Sequence, residues 1–403
     1  MQKQTTQALL NYARLLLEEG SSEAALTVLE AIHADTVKQQ HDVSYLLGWY
    51  YILSKQWREA AHMLSSVFPN ERDEDEENTE QETLLERERS AIYLLRLGQT
   101  AISLAHYEDA SQHFSLCLKL LHDRRVHRPA LRIEARYNLA ITYSIRGSYT
   151  VAIQNYEDAL RLCHHYDLNE AIPNIYYGLS KAYRCLGDFD RARHTAHEAL
   201  HIYQEKGDGS LQCCMHYVLG RISFLSGDYN ASENYYTTSL SLAINNHKPK
   251  MLMLDCAALA TLFLETGQIE IAKEYVHRTL EIMPQVEHAF SCGVAYDTIG
   301  KVTLAEARLA DGNARQGMFD ESISWLQKSA TQFKSASVYV KLAEVYHQLA
   351  TVSEELQRTQ DALDYWKLAY EEASQAKHTP LFDASCYAGI DIASSIPFHL
   401  STV

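Results

Sequence analysis

The chain has 403 residues, of which 46% are hydrophobic and 22% charged, a balance that suits a folded protein and is too apolar for a disordered one. Its formal net charge of -16 opposes any surface that must neutralise many phosphates, so direct binding to nucleic acid is not expected. The opening residues carry no basic region followed by a clean apolar stretch, and nowhere do about 18 apolar residues run uncharged, which implies a cytoplasmic protein that does not enter a membrane.

Hydrophobic cores rarely keep growing past roughly 250 to 300 residues, and a repeat array escapes that limit. In chain order, Tyr12, Ala13, Gly20, Ala25 and Leu29 mark a first unit, and Leu47, Gly48, Tyr51, Trp57 and Ala60 a second. An acidic run over 70–82 then stretches the interval from Leu47 to Leu97 to fifty residues. It reads as a solvated loop, or as a docking strip for a basic partner. Leu97, Gly98, Tyr107, Ala110 and Phe114 make the third unit. From there Leu139, Leu179, Leu219, Leu259 and Ile299 recur in steps of forty. The eighth unit carries about ten extra residues near 305–317, expected to lengthen its helices and their turn. Leu349, Ala362, Trp366 and Ala369 mark the ninth, so repeats fill 1–376 and leave 377–403 for a capping helix and tail.

Within a unit, apolar residues at helical spacing flank a short turn such as 186–190 or 226–230, which predicts two antiparallel helices. Gly98, Ala140, Gly220, Ala152, Ala192 and Ala272 fall where those helices must approach, with Tyr143, Tyr156, Tyr183 and Tyr236 filling the space beside them. Prolines 129, 173, 249, 284 and 380 fall between units, where a helix can start but not continue.

These residues resemble the tetratricopeptide repeat family in a forty-residue form. The resemblance implies an all-α, right-handed superhelical solenoid of about nine helical hairpins plus a C-terminal capping helix. It is most like the sensor regions of bacterial helix-turn-helix regulators and Rap-type peptide-responsive proteins, without a DNA-binding segment before the first repeat. In that family the first helix of each unit lines a concave face. Carried over, this places Tyr45, Tyr137, Tyr177 and Tyr217 two residues before the leucine-like position, and Trp49, Gln99, Lys181, Arg221 and Lys301 two after it, with Arg184 one turn beyond Lys181. Such an aromatic ladder with interspersed cations suits a peptide bearing an acidic side chain or a terminal carboxylate. The same tyrosines could instead pack between neighbouring helices. The implied function is non-catalytic, regulatory binding of a protein or peptide, with a passive assembly scaffold as the alternative; the oligomeric state stays open.

One segment matches a catalytic signature: His197-Glu198-Ala199-Leu200-His201 is H-E-x-x-H, in which two histidines a helical turn apart can hold zinc beside a general-base glutamate. His194 lies on the same face. Ala199 and Leu200 nonetheless fit the repeat register, so the segment is already explained as a second helix, and a zinc hydrolase remains the remote alternative. The eight cysteines are scattered with no CxxC pair, and no phosphate loop or dinucleotide fingerprint occurs, so no cofactor is expected.

Overall fold

The computed structural model describes residues 2–54, 56–65, 80–104, 106–122, 128–336 and 338–378. They form nine consecutive helix pairs with no strand among the described residues: α1 (Gln2–Glu18) and α2 (Ser22–Glu30), α3 (Val37–Leu53) and α4 (Trp57–Ser65), α5 (Glu80–Ser103) and α6 (Tyr107–Leu120), α7 (Pro129–Ile145) and α8 (Tyr149–Tyr166), α9 (Ile172–Cys185) and α10 (Phe189–Glu205), α11 (Gly209–Leu225) and α12 (Tyr229–Asn245), α13 (Pro249–Glu265) and α14 (Ile269–Ile282), α15 (Ala289–Leu309) and α16 (Gly312–Ser335), α17 (Tyr339–Glu355) and α18 (Thr359–His378). Two compact units are distinguished. The first holds the residues up to Tyr143 together with Gln154–Asn169, and the second holds Ser144–Ile153 together with the residues from Glu170 onward.

In both units the small residues of the repeat sit where helices meet. A Cβ added at Gly98 in the first unit would lie 2.5 Å from the Phe114 ring, and one at Gly220 in the second 2.6 Å from Tyr236. Ala140, Ala152, Ala192 and Ala272 are each fully buried. The expected first-unit marker Tyr12 is 54% exposed, and Leu10, Leu16 and Leu17 of the same helix supply the buried contacts instead. A tyrosine next to the small Ala13 thus marked the register while pointing away from the core.

From α9 to α14 the helices are joined by one recurring turn. After α9 the chain enters the left-handed region at Gly187 (φ +78), and Asp188 donates its backbone N–H to the Tyr183 carbonyl at 3.0 Å, closing the helix end. The Asp188 side chain then accepts from the Arg191 backbone N–H at 3.1 Å and starts α10. Asp208 and Asp228 do the same before α11 and α12, each at 3.0 Å.

The eighth pair absorbs its extra residues as lengthened helices, α15 of 21 and α16 of 24 residues. Ser232 of α12 donates its hydroxyl to the Gly220 carbonyl twelve residues earlier at 2.9 Å. Ser322 of α16 makes the equivalent bond to Gly300 at 2.8 Å across 22 residues, so the insertion lies wholly between these two positions. Of the acidic run, 70–79 lies outside the described residues, and Glu80–Glu82 already belong to α5. The expected cap lies outside the described residues from 379 onward.

Candidate functional site

Nine of the ten candidate residues fall into one group in each unit, joined to partners that periodicity did not flag, and Lys301 lies outside both groups. In the first unit, Tyr45 and Trp49 stand one turn apart on α3, with the Tyr45 ring 4.8 Å from that of Tyr93 on α5. The Arg96 guanidinium lies 5.8 Å from the Trp49 ring centre. It donates to Gln99 at 2.9 Å and to Glu134 on α7 at 3.2 Å, while Gln99 donates to the same Glu134 oxygen at 2.9 Å. Burial opposes the charge on Arg96, but Glu134 and the Tyr45 hydroxyl outweigh it and hold the guanidinium more firmly protonated. Burial also pushes the Tyr45 and Tyr137 phenols up, so both stay neutral hydrogen-bonding groups. The Tyr137 ring packs 5.9 Å from Tyr156. In this unit aromatic surface surrounds a compensated ion pair.

The second-unit group is more cationic. On α9 the Lys181 ammonium sits 4.5 Å over the Tyr177 ring, with Arg184 close by on the same helix. On α11, Tyr217 packs 5.7 Å from Tyr236 and its hydroxyl hydrogen-bonds Arg221. Burial pushes the Tyr217 phenol up, and Arg221 followed by Arg184 draws it part of the way back. Lys181 and Arg184 are largely buried and Arg221 is half-buried, so their charges act through protein rather than open water. Lys301 stands apart on α15, where its ammonium binds Asp297 at 2.6 Å. Burial opposes its charge, and Asp297 more than offsets that effect.

Arg96, Glu134, Asp255 and Asp297 were missed by the sequence reading. Asp297 occupies the same register position as Tyr177 and Tyr217, so the signal was present, but a search for aromatics and cations passes over a carboxylate there. Asp255 on α13 is fully buried and lies four residues before the leucine-like Leu259, where the periodicity calls for an apolar side chain.

The H-E-x-x-H segment lies on α10. Ala199 and Leu200 are buried in the repeat core, while His197 faces the Tyr235 hydroxyl at 3.2 Å and His201 faces Glu205 at 3.7 Å. Among the described residues no three His, Cys, Asp or Glu side chains gather as a metal would require. Nor is any described helix long and apolar enough to cross a membrane. The thiols are poor nucleophiles, since burial pushes Cys117, Cys213 and Cys256 up to about 12 and Cys163 and Cys214 up to about 11.

Residues 131–205 match the family model described as tetratricopeptide repeat. No curated protein matches the sequence at a significant level. Among solved structures, the chain is similar to the apo form of RapI, at a TM-score of 0.65 and 10% identity over 94% of this chain and 99% of that one. It is similar to the apo form of the quorum sensor NprR from B. thuringiensis, at a TM-score of 0.62 and 15% identity over 92% and 99% of the two chains. It also resembles a Rap protein complexed with Competence and Sporulation Factor, at a TM-score of 0.58 and 13% identity over 93% and 99%. The described residues are thus all-α, with a tetratricopeptide-type match over 131–205, and the chain shares its fold with the solved Rap and NprR structures.

Proposed function

We propose that this chain is a regulatory binding module whose ligand is a peptide or an extended protein segment bearing a carboxylate, held by the first helices of the second unit. The carrying observation is the placement of Lys181, Arg184 and Arg221 on two first helices, α9 and α11, with Lys181 over the Tyr177 ring and Arg221 at the Tyr217 hydroxyl. Cations with little exposed surface beside aromatic groups bind an anionic group more strongly than exposed ones, because less water competes. Tyr45, Trp49, Gln99 and Tyr137 are the first unit's candidates for contact with a ligand, and Lys301 the second unit's third position. The quorum-sensor and peptide-complex relatives in fold support a sensing role. A passive scaffold is the alternative reading.

Arg184→Ala and Arg221→Ala should each weaken a bound carboxylate-bearing peptide by about 1.5 to 3 kcal/mol, the range for a hydrogen bond to a charged group. Calorimetric titration of a peptide selected on the wild-type chain measures this directly. Unchanged affinity in both variants would remove the cations from the site. Small-angle scattering with and without that peptide separates sensor from scaffold, since only the sensor must change its dimensions.

A further inference from the structure

Beneath the Tyr217 wall lies a carboxyl group that the binding role does not use. Asp255 is fully buried, and its Oδ1 meets no donor among the described residues. Its Oδ2 lies 2.9 Å from the Ser239 hydroxyl, which lies 3.0 Å from the Cys213 carbonyl. A hydroxyl carries one proton and a peptide carbonyl carries none to give. If Ser239 donates to Cys213, the contact with Asp255 is a hydrogen bond only when the carboxyl supplies the proton. An ionised carboxylate would place two acceptors on one proton and leave the buried Oδ1 without a protein donor among the described residues.

Among the described residues, burial and the Ser239 hydroxyl are the influences resolved on Asp255 itself. Facing the seam are Cys213, Cys214 and Tyr217 from α11, Tyr236 and Ser239 from α12, and Cys256 beside Asp255 on α13. The cations of these elements act on the neighbours of Asp255: Arg221 and Arg184 on the tyrosines, Lys248 and Lys250 on the thiols, and Arg278 of α14 on Cys256. Burial pushes the Asp255 carboxyl well above the usual carboxylate range, and outweighs the Ser239 hydroxyl, which draws it down.

We infer that Asp255 is a built-in proton switch: the folded protein holds it as a neutral acid that donates to Ser239, and loss of this proton loosens the α11–α12–α13 seam. Because its folded-state affinity for the proton is raised, the stabilisation it provides is complete below the ordinary aspartate range and disappears as pH rises through the folded value. Resting on the ligand reading above, the switch also governs Arg221. Tyr217 feels both groups, so an ionised Asp255 competes with an anionic ligand for the positive field of the wall.

The test compares the full chain with Asp255→Asn, whose amide reproduces the donor of the neutral acid, and with Ser239→Ala. Infrared spectra of the wild type at neutral pH should show a protonated-carboxyl carbonyl band that Asp255→Asn lacks and Ser239→Ala shifts. From about pH 5 to about pH 9, a span reaching the values known for buried carboxylic acids, the wild type should lose about 3 °C or more of melting temperature relative to Asp255→Asn. Absence of the band, its persistence in Asp255→Asn, or parallel melting curves would overturn the inference. Should Asp255→Asn fail to fold, bleaching of the wild-type band by alkali serves as the same test, and a band unmoved by alkali counts against the switch. A random hexapeptide library with free carboxyl ends, captured by the wild type more weakly at the alkaline end but evenly by Asp255→Asn, supports the coupling to the wall. Failure to capture any peptide at either pH overturns that coupling and the ligand reading with it, while infrared and melting data, taken without ligand, decide the proton independently.

Discussion

Cys117, Cys213 and Cys256 have almost no exposed surface, and burial pushes their thiols up to about 12. A shift of that size lowers the thiolate fraction at neutral pH by roughly a thousandfold, before any steric shielding. Ellman's reagent should therefore leave these three untouched in the native chain and titrate them promptly once it unfolds; rapid native reaction would mean that the seams open readily. The acid among them was not legible. Asp255 sits next to Cys256 in an apolar run, and nothing in MLMLDCAALA tells whether its carboxyl reaches water or a serine from another helix. Such a partnership depends on three helices meeting, which one helix's sequence does not encode.

Among the elements, the close approaches make the strongest claim. Gly98 stands against Phe114 and Gly220 against Tyr236, so Gly98→Ala or Gly220→Ala forces a ring out of its place. Overpacking of this kind costs about 1 to 3 kcal/mol. The loss at Gly220 should be the larger, because Ser232 ties the same carbonyl to α12 and resists relaxation. Urea midpoints of the two variants measure both effects, and no loss in either would show that the pairs have slack. These glycines were readable because the repeat returned a small residue to the same place beside a large one. The hydroxyl ties of Ser232 and Ser322 were not, because the ten residues inserted between Gly300 and Ser322 displace the second from its expected spacing. At the candidate site the register located Lys181 and Arg221 correctly on first helices, yet it left Arg96 and Glu134 unseen, since side chains reaching across to a neighbouring helix obey no single-helix period.

For the whole chain, the division into two compact units has a thermodynamic consequence. Repeat arrays hold each unit chiefly through its neighbours, and cooperativity weakens with length. Trp49 and Trp57 belong to the first compact unit, Trp325 and Trp366 to the second. Variants keeping tryptophan in only one unit should give urea transitions by fluorescence that do not coincide with each other or with the circular-dichroism curve. Superimposable curves would show that the two units unfold as one. The nine-fold count and the all-helical class were evident from the forty-residue period, while the division into two units was not, because the marker residues recur evenly across Tyr143 and Gln154.

The left-handed turn bears on how such a chain can change its length. The joint after α10 turns at Gly207 (φ +68) and the one after α12 at His247 (φ +51); each is closed by a backbone bond of 3.0 Å, from Asp208 to Tyr203 and from Lys248 to Ala243. Residues 208–247, forty in all, therefore form a cassette with matching ends. Excising it would splice Gly207 onto Lys248 at a corner both sides already make, and copying it would lengthen the stack by one step without a new connector. Recombination at such corners offers a route by which the reach of the proposed binding wall could be set, one whole repeat at a time.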